Sequence, residues 1–363
     1  MRIGLNGRCF AAQLGGVQRI GRALLREVNA RGDAVLLVPR EVMPNGDAGG
    51  FGAIVEGALP GRLWENLELP LAARRAGCDV TLHPANCAPR WGAARIVVVY
   101  DAAPLVHPTW FTAMFRAWFR FAVANPARRA DRVLTLTDWA REQLIDAIGI
   151  PPDRVEVIPP GLEGPWTAAS AEEVRVTLTR ASLTPPYVLG VGAGDPRKNL
   201  GFLSRVARAW QSSRKDALQF VAVGAGTGRI YRRAALGDPA PSDLERALGR
   251  VSDAELRALY TGAVALCFPS IDEGIGLPPL EAMACGTPAL VGPYGSAREV
   301  LADAAQHLPL EPEAWVEAIG RLLEDGEARR RQVDCGLRHV AERTWDRAAS
   351  RVVEICGDAA RRS

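Results

Sequence analysis

Residues 263–288 constrain the fold more than any other stretch. Ala263, Val264, Ala265, Leu266, Cys267 and Phe268 form an unbroken apolar run that Pro269 ends. A run this short and this apolar reads as a buried strand. A loop containing Gly274 and Gly276 follows. Pro278 and Pro279 then stand where a helix begins and Gly286 where it ends, the usual asymmetry of helix termini. Strand, glycine loop and short helix make part of an α/β unit. The open amides of a helix start attract anions, phosphate above all. Glycine lets a ligand approach the backbone with no Cβ in the way. Two carboxylates bracket the loop: Glu273 before it, and Glu281, which this spacing puts in the first helical turn.

Carboxylates beside a phosphate repel it unless they face something else. An ionised carboxylate only accepts hydrogen bonds, and sugar hydroxyls donate them. A ligand with phosphates in the middle and hydroxyls at both ends, a nucleotide sugar, suits the pattern. The plainer account makes Glu281 a helix-start acid favoured by the dipole and Glu273 a solvated loop residue. That account leaves the glycines, the prolines and the preceding strand unexplained.

Residues 273–288 resemble the donor-site motif of the retaining glycosyltransferases of family 4, the glycosyl transferases group 1, which have the GT-B fold. Ile275 stands where the family pattern usually has Phe. The resemblance implies an α/β chain of two Rossmann-like domains, with parallel sheets facing a central cleft. It implies a nucleoside diphosphate sugar as co-substrate and no cofactor. Glu273 would hold hydroxyls of the transferred sugar and Glu281 the ribose, with Gly274, Ile275, Gly276 and Leu277 lining the donor.

A second constellation, Gly190-Val-Gly192-Ala-Gly194-Asp195-Pro196-Arg197-Lys198-Asn199, follows another apolar run. The dinucleotide spacing Gly-x-Gly-x-x-Gly is not met, because position 195 is Asp. Arg197 and Lys198, entering a helix, suit a diphosphate: Arg forks two oxygens and Lys acts as a point charge. A solvated basic helix start explains them equally well on spacing alone. Cations at a helix N-terminus oppose the dipole, however, and call for an anion. The Arg-Lys-Asn triplet resembles the family's diphosphate-binding motif. By that resemblance Arg197, Lys198 and Glu273 are the catalytic group.

Weaker signals lie elsewhere. Gly224, Gly226 and Gly228 form a loop against the nucleotide or only a turn. Val251 lies where relatives surround the base. Gly15-Gly16-Val17-Gln18-Arg19 resembles the family's glycine loop, which puts Gly16 near the phosphate or transferred sugar; a plain turn before a helix fits as well. Tyr100-Asp101 stands where relatives commonly carry His-Asp on the acceptor and sugar side. A phenol hydrogen-bonds a hydroxyl but carries protons poorly near neutrality, so a contact role or altered donor choice is expected. His83 sits at a strand end, and His107 in Leu-Val-His-Pro orders a loop. Trp110, Phe111, Phe115, Trp118, Phe119 and Phe121, mixed with Arg116 and Arg120, make an aromatic-basic helix. It is a surface for a lipid-linked acceptor at a membrane, or, as the safer account, a core helix with solvated arginines. No Asp-x-Asp occurs in the chain, which weakens a metal-dependent transferase.

Composition narrows the rest. The net charge of +3 is too small to argue for nucleic acid. Seven cysteines, without ligand-like spacing to the four histidines, read as reduced thiols, with no metal site expected. The chain starts directly on a strand, so no signal peptide is expected. No apolar run approaches the ~18 residues of a membrane span. A cytoplasmic location follows, with peripheral contact at the inner membrane face as an option.

Along the chain, strands alternate with helices, which implies parallel sheets with helices on both faces. Strands are expected at 2–6, 34–38, 80–83, 96–100, 133–136, 155–158, 187–191, 220–223, 263–268 and 289–291. Helices are expected at 17–28, 63–76, 110–124, 138–148, from 200 onward, and at 253–260, 313–323, 327–342 and 344–356. A short element is expected at 244–248, a loop at 44–61 and fraying over 359–363. Residues 159–170, with three prolines and two glycines, mark the boundary between an acceptor-binding domain, 1–165, and a nucleotide-sugar-binding domain, 166–343. The resemblance adds that the last helix, 344–358, packs back on the first domain.

The expected function is retaining, metal-independent transfer of a sugar, mannose among the candidates, from a nucleoside diphosphate to a glycan or lipid-linked acceptor. Polysaccharide or cell-envelope glycan synthesis is the expected setting. The alternatives are a nucleotide-sugar epimerase of the same fold and a non-catalytic nucleotide-sugar-binding protein.

Overall fold

The computed structural model describes residues 1–11, 15–42, 50–192, 195–214, 216–224 and 246–362. They form two compact units. The first holds Met1–Val106, Ala113–Glu163 and Thr344–Ser363; the second holds His107–Thr112 and Gly164–Arg343.

The first unit is built on a parallel sheet of β1 (Arg2–Asn6), β2 (Asp33–Val38), β3 (Ile54–Glu56), β4 (Val80–His83), β5 (Ala94–Val98), β6 (Arg132–Thr135) and β7 (Val155–Val157). Their order is β3-β2-β1-β4-β5-β6-β7. Ile3 and Leu5 of β1 are fully buried, as are Leu36 and Leu37 of β2. Adjacent apolar residues go to opposite faces, so both faces of this sheet are covered. The helix Gly16–Asn29 buries Ile20, Leu24 and Val28, a stripe of helical period. The helix Trp345–Arg362 belongs to this unit and buries Ala348, Val352, Ile355, Cys356 and Ala359. Ion pairs Arg31–Asp346 (2.8 Å) and Arg351–Glu156 (2.6 Å) flank that seam. The fraying expected over 359–363 is therefore not found before Arg362, because Ala359 is packed.

The second unit repeats the design with β8 (Tyr187–Val191), β9 (Gln219–Val223), β10 (Arg246–Ala247), β11 (Leu266–Phe268), β12 (Ala289–Val291) and β13 (Gln306–His307). Their order is β10-β9-β8-β11-β12-β13, and the pairs are parallel. Phe202 and Trp210 of the helix Gly201–Ser213 pack against Trp315 and Ile319 of the helix Pro312–Glu324. The rings of Phe202 and Trp315 meet edge to face at 5.4 Å.

Several elements escape the hydrophobic pattern. Strand β3 pairs Ile54 with Leu36 inside the stretch expected to be loop. Three residues are too few for a period. The helix Ala171–Ala181 starts on a capping box in which Ser170 and Glu173 bond each other's backbone amides, a spacing readable in the sequence. The expected element at 244–248 is β10; residues 244 and 245 lie outside the described residues, as do Gly194, Gly226 and Gly228.

Ile355 is fully buried in the terminal helix. Ile355→Ala should cost about 3 kcal/mol of stability in chemical denaturation. A cost below about 1 kcal/mol would contradict the docking of this helix.

Candidate functional site

In parallel sheets, ligands bind at the carboxyl ends of the strands. In the second unit the loops after β8, β11 and β12, three neighbouring strands, are tied together there. The Ile271 amide and the Ser270 hydroxyl both donate to Arg197 O at 2.9 Å. The Asn199 side chain donates to Pro269 O at 3.3 Å. The Ser296 hydroxyl donates to Glu273 O at 2.8 Å. Each loop therefore holds the next by a backbone carbonyl.

Lys198 and Glu273 cross two of these loops as an ion pair, with 2.5 Å between ammonium and carboxylate. Their side chains are 13% and 8% exposed. The ammonium also lies 4.7 Å from the centre of the Phe268 ring. Glu273 accepts the Ser270 hydroxyl at 2.9 Å as well. Gly192, with φ of +111°, leaves the space that the Lys198 stem fills; a Cβ there would lie 2.7 Å from Lys198 Cγ. Arg197 pairs with Asp195 at 2.9 Å. Burial alone would raise the Asp195 carboxyl, but the charge and hydrogen bonds of Arg197 outweigh it and hold its pKa below the ordinary value.

Both cations thus have carboxylate partners. They also do not enter the long helix. Pro196–Lys198 is a separate 3-10 turn capped by Asp195, and Asn199 follows in the left-handed conformation before the helix Gly201–Ser213. The dipole argument made from the sequence is therefore replaced by one of ion pairs.

The helix after the motif runs Leu277–Ala284, capped by Gly276 at φ of +73°. Glu281 is its fifth residue, not part of its first turn. Its buried carboxylate accepts the Tyr260 hydroxyl at 3.0 Å. Pro278 and Pro279 carry no N–H, so Gly276 and Leu277 supply the amides of the helix start. Ile275 is buried.

Three sets of contacts went unread in the sequence, where His107 is expected only to order its loop. A Cβ on Gly276 would lie 2.6 Å from the Tyr294 hydroxyl, so this tyrosine sits against the helix start. Tyr294 is buried and its hydroxyl has no hydrogen-bond partner among the described residues. Burial, then the Glu273 charge, pushes its pKa well above the ordinary value, so it stays protonated. His107 approaches Asp272 at 3.5 Å, which ties residues 107–112 to the rest of the second unit, and stacks at 4.0 Å on Trp110 of its own segment. Ser270 and Ser296 brace Glu273. None of these residues shows a spacing that marks it.

Val251 is half-buried, one residue before Ser252, which caps the helix Asp253–Gly262. Among the described residues no group of His, Cys, Asp and Glu is arranged to hold a metal ion.

Gly16, Tyr100 and Asp101 lie in the first unit. Gly16 is the first residue of its helix. The Tyr100 hydroxyl donates to Pro84 O at 2.8 Å, with Val17 O at 3.2 Å, so its proton serves the fold. Asp101 accepts the Ala103 amide at 3.1 Å. Nearby, Asn6 donates to Glu65 (2.9 Å) and lies 3.0 Å from His83 Nδ1, while His83 Nε2 lies 2.9 Å from Thr81 Oγ1. The amide donor fixes Nδ1 as acceptor and Nε2 as the protonated nitrogen. Burial, with the charges of Arg95 and Arg8, pushes His83 down to about 3.

Removing the Tyr294 hydroxyl removes a buried group without a partner. Tyr294→Phe should therefore raise stability by about 1 kcal/mol in thermal or denaturant melts, and a loss of that size would contradict the assignment. For His83 the folded pKa lies below the unfolded one. The unfolded chain binds the extra proton between about pH 6.5 and 3, and stability falls as pH drops through that window. His83→Gln should flatten this part of the stability–pH curve; an unchanged slope would contradict the neutral assignment.

Two family profiles match the chain: Glycosyltransferase Family 4 over residues 14–163 and Glycosyl transferases group 1 over residues 179–336. The D-inositol 3-phosphate glycosyltransferase of Salinispora tropica is 32% identical over 250 residues, 63% of this chain and 51% of that protein. An O-antigen chain mannosyltransferase of Salmonella typhimurium is 28% identical over 224 residues, 61% of this chain and 59% of that one. The chain thus spans only half to three-fifths of these relatives' length. An Anabaena protein solved with UDP-glucose superposes with a TM-score of 0.70 at 14% identity, over 99% of this chain and 100% of its own. A Rickettsia africae glycosyltransferase superposes at 0.68 and 13%, over 100% and 99%. Two parallel sheets, the Glu273-to-Glu281 loop and helix, and both profile matches lead to one assignment: this chain belongs to the glycosyl transferases group 1 and has the GT-B fold.

Proposed function

We propose that the chain is a retaining glycosyltransferase that moves a sugar from a nucleoside diphosphate to a glycan or lipid-linked acceptor, in polysaccharide or cell-envelope glycan synthesis. The observation that carries this is the buried Lys198–Glu273 pair, set where three loops converge at strand ends. A diphosphate arriving there exchanges places with a carboxylate. Lys198 and Arg197 turn to phosphate oxygens, while Glu273 accepts hydroxyls of the sugar. The Gly276 and Leu277 amides add to the grip. As the glycosidic bond breaks, charge grows on the leaving phosphate, and fixed cations stabilise it there more than in the ground state. In a same-face attack the leaving phosphate oxygen takes the acceptor's proton. Glu281, supported by Tyr260, is assigned to the ribose.

Mannose is favoured among the sugars because relatives of about 25–30% identity are named mannosyltransferases. Side-chain cations offset the charge of the leaving group, so transfer is assigned without a metal ion. The work is assigned to the cytoplasmic side, where nucleotide sugars meet lipid-linked acceptors. Among the described residues no helix is long and apolar enough to cross a membrane.

A thermal-shift panel of UDP-, GDP- and ADP-sugars identifies the donor, since ligand bound to the native state raises its melting point. Lys198→Gln keeps a hydrogen-bond donor beside Glu273 but no charge. It should lower the transfer rate about 10²- to 10³-fold while the chain still folds, with a lower melting temperature because Glu273 is left buried without its cation. Full activity in this variant would remove Lys198 from the reaction. Transfer should survive a chelator, and inhibition reversed by added metal would contradict the metal-free assignment.

A further inference from the structure

The first unit carries a surface that the donor site does not use. Residues 61–75 form one continuous helical stretch, through Gly61–Leu63, Trp64–Glu68 and Leu69–Arg75. Leu63, Leu67 and Leu71 recur along it at every fourth position and are 60%, 53% and 42% exposed. On the neighbouring helical stretch, Ala113–Phe119 continued by Arg120–Ala124, Met114 is 80% exposed and Phe121 63%, and Trp118 is also exposed. Positions 114, 118 and 121 share one face of a helix. The core takes other residues of this stretch, Phe119 among them. The aromatic-basic helix read in the sequence is thus divided, with one face packed and one outward.

Three contacts make these faces one surface. The Arg62 guanidinium lies over the Trp118 ring at 4.7 Å. Arg90 lies over Phe121 at 4.0 Å. Between them, the exposed Trp91 donates its indole N–H to Asn66 O at 3.0 Å. Arginine is suited to this, since its plane stacks on a ring while its charge stays in water.

The charge on this surface is mainly positive, with the Glu41 carboxylate at its edge beside Gly61. Residues 84–95 and 110–130 contain no Asp or Glu, while Arg90, Arg116 and Arg120 lie within them. The two acids of the 61–75 stretch are occupied in the fold. Glu65 is buried and accepts Asn6 and Arg8, and Glu68 accepts the amides of Ala58 and Leu59.

We propose that this leucine, aromatic and arginine surface of the first unit seats the protein on an anionic lipid bilayer. A bilayer interface offers an apolar layer to Leu63, Leu67, Met114 and Phe121, and negative headgroups to the arginines beside them. Tryptophan and arginine are the side chains that sit best at that boundary. A second copy of the chain is a poorer occupant, because a two-fold contact through one patch sets arginines against arginines. The proposal deepens the lipid-linked acceptor in the functional reading, yet it stands on the first unit alone and is tested without nucleotide.

The test is sedimentation of the purified chain with vesicles of phosphatidylcholine alone, or with about one third phosphatidylglycerol added. The chain should bind the anionic vesicles, leave the neutral ones, and be released by salt. Leu67→Ser/Phe121→Ser should weaken binding at least about tenfold, and Arg90→Ala severalfold, with melting temperatures unchanged. Absence of binding to anionic vesicles, or undiminished binding by the double variant, would overturn the proposal. So would a dimer in solution that the double variant dissolves while no vesicle is bound. Sugar transfer to a water-soluble acceptor, run alongside, reports on the donor site separately and should be unaffected by these variants.

Discussion

The Lys198–Glu273 pair is the interaction on which the donor-site account rests. Taking an ammonium and a carboxylate out of water costs several kcal/mol each, and their attraction returns that only with good geometry. An apolar pair would fold the same loops as well. What the ion pair adds is a charge held ready at the end of a parallel strand and able to change partners. Arg197 with Asp195 repeats the device one residue earlier in the chain. The two pairs are therefore close to neutral in themselves, and on the proposed function a diphosphate would bind them by exchange. The Ser270 and Ser296 hydroxyls keep the surrounding backbone fixed while this happens.

The fold was largely legible because its strands are buried on both faces. Short runs such as the apolar residues 187–191 and the alternating residues 80–83 read as strands, and both match strands to the residue. What went unread was short or polar. Strand β3 has three residues and β13 two, too few for periodicity to show. Helices ran further than expected at the C-terminus because the alanines and cysteine of the last helix bury without looking strongly apolar.

At the candidate site, residue types were readable and their relations were not. Cations beside carboxylates could be seen in the sequence, but which acid meets which cation depends on strand order. Sheet order sets β8 beside β11, and so brings residue 198 to residue 273. Glu281 was placed one turn too early because the helix begins at Leu277, ahead of the two prolines. Tyr294 carries no motif; only the narrow space over Gly276 reveals it. Tyr100 shows the opposite case, a motif position whose hydroxyl is engaged inside its own unit.

The central claim is that the loops after β8, β11 and β12 close together on the diphosphate of a donor. Amide hydrogen exchange with and without UDP or GDP tests it most directly. The account predicts that the nucleotide slows exchange over residues 195–199, 269–277 and 292–296 together. Protection confined to other segments, or none at saturating concentrations of either nucleotide, would contradict it.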